Sequence, residues 1–162
     1  MVALVTGATG FLGSRLARRL TLRGERVRVL ARPTSSLRRI EDLVARGLEV
    51  ARGDVTDRAS VEAAMEGARR VYHVAALYEI GARDPAAMER INVGGTEHVL
   101  GAAAARGLPA VYVSSVVALG PTGAEPADET HEARAAPRSA YEATKRAAHA
   151  IARRLAAEGA KV

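Results

Sequence analysis

The 162-residue sequence predicts an α/β fold: one doubly wound parallel sheet with helices packed on both faces. Three observations carry that prediction. Short continuous apolar runs alternate with longer stretches of helical period. The first of these runs, VALV, is apolar without a break, as a strand buried on both faces would be. A glycine-rich turn, TGATGFLG (6–13), joins the first run to the first helical stretch.

The strands are expected at VALV (2–5), VRVL (27–30), LEVA (48–51), RVYHV (70–74) and AVYV (110–113). Leu12, Leu16 and Leu20 recur every four residues and predict the first helix. Leu37, Ile40, Leu43 and Val44 predict a second, and Val61, Ala64 and Met65 a third. Met88, Ile91, Gly95, Val99 and Ala103 form one longer stripe. Asp57 is placed to cap the third helix, and Asp84-Pro85 supplies a cap followed by proline at the first helical position. Gly94 and Gly95 fall inside the long stripe, where each costs about 1 kcal/mol relative to alanine, so close packing of helix on sheet is the expected reason for both.

Segment 120–138 breaks the rhythm, with few apolar residues and no period, and reads as a lid or binding loop. Ser139, Ala140, Tyr141 and Glu142 then have the form of a capping box, in which serine accepts from the Glu142 amide and the glutamate reaches back to the serine amide. Gly159 is the expected helix stop. Ala160, Lys161 and Val162 read as the opening of a sixth strand, so the domain is expected to be truncated before that strand.

Composition narrows the function classes. Hydrophobic residues at 48% supply one core, and the expected organisation is one domain over 1–162. The absence of cysteine and the scatter of four histidines predict no metal site. With no basic leader, no cleavable apolar core and no run near the roughly 20 residues of a membrane span, the expectation is a soluble, cytoplasmic protein. The charge of +6 raises nucleic-acid binding, but the arginines are spread from Arg15 to Arg154 and aromatics are 3%, so a solvated basic surface is the reading and nucleic acid is excluded as partner.

A glycine turn at a strand-to-helix junction has a physical use. The first amides of the helix and the positive end of its dipole attract an anion, and residues without Cβ let a pyrophosphate touch the backbone. Gly7, Gly10 and Gly13 are spaced G-x-x-G-x-x-G, one residue longer than the shorter dinucleotide fingerprint. Gly7 would make the turn, Gly10 would give phosphate access, and Gly13 would let the helix pack. Thr9, Phe11 and Leu12 belong to the same candidate set. An enzyme using the unphosphorylated ribose places Asp or Glu about 20 residues further on. This sequence has Ala31-Arg32-Pro33 there, and a guanidinium with no carboxylate favours a 2′-phosphate. The expected cofactor is NADP, with NAD as the alternative.

Only two lysines, Lys145 and Lys161, stand among the 24 basic residues. Lys145 follows Tyr141 by four residues, on the helix face that continues through Ala148, Ala152 and Leu155. A cation beside a phenol lowers its pKa from near 10 and fits it for acid/base work. Ser114 and Ser115 end the fifth strand, where a hydroxyl could meet a substrate carbonyl oxygen.

TGATGFLG, GDVTD (53–57), HVAA (73–76), INVGGT (91–96), VSSVVALG (113–120) and YEATK (141–145) occur together in this order. Together they resemble the extended short-chain dehydrogenase/reductase superfamily, in its NAD(P)-dependent epimerase/dehydratase and dihydroflavonol-reductase-like branch. The stretch ALYEIGARDPAAMERINVGGTEHVL is also similar to the hopanoid-associated sugar epimerase group.

The resemblance implies a Rossmann-type fold and hydride transfer between a nicotinamide and a carbonyl or carbinol carbon of a small-molecule or sugar-like substrate. It implies that Tyr141 is the acid/base, that Lys145 holds the nicotinamide ribose and depresses the tyrosine pKa, and that Ser115 is the active serine with Ser114 against the cofactor. Asp54 and Val55 would meet the adenine, Ala75 and Ala76 would let the cofactor approach, and Asn92 would anchor the helix beneath the site. His73 reads as structural. The resemblance also implies a C-terminal substrate domain, which is expected to be absent from this chain, and a homodimer formed through the helices at 88–105 and around Tyr141. Specificity is expected to lie in 78–84, in 120–138 and in the absent part. The alternative function is a cofactor-binding sensor or incomplete module without turnover.

Overall fold

The computed structural model describes residues 2–79, 84–124, 126–132 and 134–162, which leaves parts of the candidate specificity segments 78–84 and 120–138 outside the described residues. Strands β1 (Val2–Thr6), β2 (Arg26–Ala31), β3 (Glu49–Arg52), β4 (Ala68–His73) and β5 (Ala110–Tyr112) form one sheet in the order β3-β2-β1-β4-β5. Every pairing is parallel. Helices α1 (Phe11–Leu22), α2 (Glu41–Val44), α3 (Arg58–Ala64), α4 (Pro85–Glu89), α5 (Gly95–Ala105) and α6 (Ala140–Ala157) connect and follow the strands.

The continuous apolar run of β1 explains the layering. All five of its residues are buried, and successive side chains leave opposite faces of the sheet. Ala3 and Val5 pack with Val27, Val29, Ala17, Leu20, Ile40 and Leu43 in one core, which α1 and the α2 segment cover. Leu4 packs with Val61, Val71, Val99, Leu100, Ala152 and Leu155 in the other, which α3, α5 and α6 cover. Burying one such aliphatic side chain contributes about 1.5–3 kcal/mol. The strand order reverses beside β1: the chain moves outward through β2 and β3, and α3 then returns it to β4 on the other side. The crevice beyond the paired ends Thr6 and His73 is where ligands of doubly wound sheets gather.

Local expectations hold at three caps. Asp57 accepts from the Ala59 amide, Asp84 from the Ala87 amide ahead of Pro85, and Ser139 Oγ from the Glu142 amide at 3.1 Å. The second half of the capping box is different. Glu142 accepts from the Arg138 amide at 3.0 Å rather than from Ser139, and also pairs with Arg146. The Arg146 guanidinium donates in turn to the Ala135 carbonyl, so the carboxyl end of the 120–138 loop is tied to α6.

Two helical readings change. The stripe at Leu37 and Ile40 is served by a turn, with the Ile40 amide on the Leu37 carbonyl at 2.8 Å, and only Glu41–Val44 is helical. The long stripe is divided by a π-helical turn, Arg90–Gly94, which carries buried Asn92. Of its two glycines, only Gly95 is explained by packing: a Cβ there would lie 2.8 Å from Val55 Cγ2, whereas one on Gly94 meets nothing within 4 Å among the described residues. After α6, Gly159 takes φ +94°, and the Ala110 amide on the free side of β5 donates to the Lys161 carbonyl at 2.8 Å.

Candidate functional site

The three turn glycines do three different things. Gly7 has φ +72°, and a Cβ on it would lie 2.6 Å from the Ala75 amide nitrogen, so it permits both the turn and the approach of the chain after β4. A Cβ on Gly13 would lie 2.2 Å from the Gly7 carbonyl oxygen, so its absence lets α1 settle on the turn. Among the described residues, one on Gly10 would meet only that oxygen, at 3.3 Å. Gly10 is exposed and caps α1 without a side chain, and no acidic residue occupies the first helical turn. The amides there and the helix dipole are thus available to an anion.

A cleft of 340 Å³ opens over this turn. Gly7, Thr9, Gly10, Phe11, Leu12 and Gly13 form one wall. Arg32 and Ser35 after β2, Asp54 and Val55 after β3, and Ala75, Ala76 and Leu77 after β4 complete it. The volume suits a small ligand or cofactor. Asp54 is held by Thr56, whose amide and hydroxyl both donate to Oδ1 at 2.9 Å. Arg52 donates to the Arg32 carbonyl at 3.1 Å and props the chain just after β2. Ser35, Leu77 and Gly53 also line the cleft and were not singled out in the sequence; GDVTD had marked the neighbourhood of Gly53 without giving it a role.

Asn92, expected to anchor the helix beneath the site, is not among the residues lining the cleft. It is a buried strut: Oδ1 accepts from the Leu77 amide at 2.7 Å, while Nδ2 donates to the Leu77 carbonyl at 3.0 Å and to Thr144 Oγ1 at 3.1 Å. One side chain therefore joins the cleft wall to α6. On that helix the Tyr141 ring meets Tyr78 edge-on, with centroids 4.8 Å apart, next to Leu77. Ser115 lies three residues beyond the end of β5, later than the sequence predicts, and leads into a short 3-10 turn, Val116–Ala118.

Lys145 is 2% exposed. Its ammonium donates to the Tyr112 hydroxyl at 2.8 Å and to the Val113 carbonyl at 3.0 Å, and burial pushes its pKa down to about 8. The sequence paired this lysine with Tyr141; the bonded phenol is Tyr112, a strand residue the sequence reading left unassigned. Burial moves Tyr112 the other way, up to about 12. Ser114 has a partner that the sequence does not mark: its hydroxyl is bonded to His149 Nδ1 on α6 at 2.9 Å. His73 is structural, fully buried between Thr6 Oγ1 at 2.8 Å and Thr96 Oγ1 at 3.0 Å.

Known proteins share this sequence pattern and this fold. The sequence pattern of the "NAD dependent epimerase/dehydratase family" matches residues 3–162. The chain is 41% identical over 127 residues to sterol demethylase protein B of Methylococcus capsulatus, covering 76% of this chain and 38% of that protein. It is 37% identical over 130 residues to a putative dihydroflavonol 4-reductase of Synechocystis, covering 79% and 37%. The solved Thermus thermophilus UDP-glucose 4-epimerase in complex with NAD superposes with a TM-score of 0.78 at 30% identity, over 98% of this chain and 51% of that one. The chain thus spans under two-fifths of these curated relatives and about half of the solved one. Among the described residues, no helix is long and apolar enough to cross a membrane.

Proposed function

The chain belongs to the NAD dependent epimerase/dehydratase family, and from that premise we propose that it carries the cofactor-binding and proton-transfer residues of an NADP-dependent reductase, epimerase or dehydratase. The observation that carries the reading is the uncapped glycine turn at the switch point, whose cleft wall is bonded through Asn92 to the helix bearing Tyr141 and Lys145. Gly7, Gly10 and Gly13 would hold the pyrophosphate, Asp54 and Val55 the adenine, and Ala75 and Ala76 the approach to the nicotinamide. A bound nicotinamide supplies or accepts the hydride at a carbonyl or carbinol carbon of a small-molecule or sugar-like substrate.

Tyr141 would move the proton to or from the substrate oxygen, and Ser115 would polarise that oxygen by a hydrogen bond. Lys145 would keep a positive charge beside the phenol and offer an N–H to the ribose. Arg32, exposed on the rim, would pair with a 2′-phosphate, which favours NADP over NAD. A homodimer formed through α5 and α6 belongs to the same reading and rests on the family resemblance. Tyr141→Phe in the complete protein tests the acid/base assignment: cofactor affinity should stay near wild type while turnover is lost, and retained turnover would end the assignment.

A further inference from the structure

We propose that Tyr112 is a positioning residue for Lys145: its hydroxyl, with the Val113 carbonyl, fixes the ammonium at the end of β5, and its ring ties that placement to buried His73 beneath the glycine turn. The relevance to catalysis rests on the function proposed above; the placement itself rests on contacts. A lysine stem of four carbons has much rotational freedom, and two of the three ammonium N–H groups are used by Tyr112 and Val113. Among the described residues the third N–H has no hydrogen-bond partner, so it can serve a ligand.

The tyrosine is itself held. Its ring stacks on His73 with centroids 5.7 Å apart and planes 25° from parallel. The proton count around His73 fixes one tautomer. Thr6 Oγ1 accepts from the Val74 and Ala75 amides, both at 3.2 Å, so its own proton points to His73 Nδ1. Thr96 Oγ1 gives its proton to the Asn92 carbonyl at 2.6 Å, so it must accept from His73 Nε2. A neutral imidazole with hydrogen on Nε2 satisfies every partner, and burial together with the Lys145 charge keeps it neutral. Ala75, whose amide rests on Thr6, lines the cofactor cleft. A continuous series of contacts therefore runs from the cleft floor through Thr6, His73 and Tyr112 to Lys145.

The titratable groups around this ammonium are His73 on β4, Tyr112 on β5, and Tyr141 and His149 on α6. Of these, the hydrogen-bonded acceptor is the Tyr112 hydroxyl. Tyr112→Phe removes that acceptor and keeps the stacked ring.

Because the sequence has two lysines, 13Cε-lysine labelling gives two signals, and Lys161→Arg assigns them. In Tyr112→Phe the Lys145 titration midpoint should fall by about one pH unit, and the dissociation constant for NADPH should rise roughly threefold to tenfold. An unchanged midpoint would reduce Tyr112 to a packing residue and overturn the proposal. In the wild type, 15Nζ relaxation should show the Lys145 ammonium more ordered than that of Lys161; equal mobility overturns the proposal without any variant. Neither lysine readout needs turnover. Active Tyr141→Phe would refute the acid/base reading and leave this one standing, while an unresponsive Lys145 would do the reverse.

Discussion

Gly13→Ala separates a structural glycine from a merely helical one. An added Cβ would sit 2.2 Å from the Gly7 carbonyl oxygen, 2.6 Å from the Gly7 carbonyl carbon and 2.9 Å from Ala8 Cα. All three are backbone atoms, so no side-chain rotation relieves the overlap, and α1 must move away from the turn. Overpacking of this kind costs about 1–3 kcal/mol, and backbone partners place it at the upper end. Alanine returns about 1 kcal/mol of helix propensity. The net loss is then about 2 kcal/mol, which for a chain of this length lowers Tm by roughly 4–8 °C. Moving the first amides of α1 should also weaken NADPH binding at least tenfold. The control is Gly101→Ala in α5, where among the described residues the added Cβ meets only Glu97 Oε1, at 4.0 Å. That variant should gain up to about 1 kcal/mol and keep cofactor affinity. Thermal unfolding and calorimetric titration read both effects. If the two variants behave alike, glycine spacing at the turn is not set by backbone approach and the reasoning fails.

Asn92→Ala should cost about 1–3 kcal/mol in urea unfolding, because it strands the half-buried Leu77 amide and carbonyl and the buried Thr144 hydroxyl, and a loss below about 0.5 kcal/mol would remove its role as a strut. His73 is held near pKa 3 against an ordinary 6.5, so the unfolded chain binds a proton that the folded chain refuses, and stability should fall as pH is lowered from 6.5 toward 3. From pH 6.5 to 5.5, above the ordinary carboxylate range, the slope should approach about 1.4 kcal/mol per pH unit, with His149 adding in the same direction; His73→Gln should flatten most of it, and an unchanged slope would locate the effect elsewhere. Arg32→Asp should weaken NADPH binding about 10- to 100-fold and strengthen NADH binding, and equal loss for both cofactors would refute 2′-phosphate pairing.

The layering could be read in the sequence because β1 is apolar without a break and buried on both faces, as the central strand of a covered parallel sheet is. Asp57, Asp84 and Ser139 were legible for a similar reason: a cap bonds two or three residues away, within reach of local spacing. Lys145 shows the limit. Its spacing from Tyr141 suggested a partner on its own helix, whereas the bonded phenol lies 33 positions earlier on β5, brought there only by the sheet. Ser114 met the same fate with His149, which is 35 positions away. The π-helical turn was hidden because Met88, Ile91 and Gly95 keep a near-helical period across it, and nothing in that period marks the extra residue that brings Asn92 to Leu77.

The most direct test of the account is calorimetric titration of this chain with NADPH and NADH in turn. The predicted result is one saturable site for NADPH, bound more tightly than NADH and weakened at least tenfold in Gly13→Ala. Binding of neither dinucleotide would contradict the reading of the glycine turn, and tighter binding of NADH would contradict the role given to Arg32.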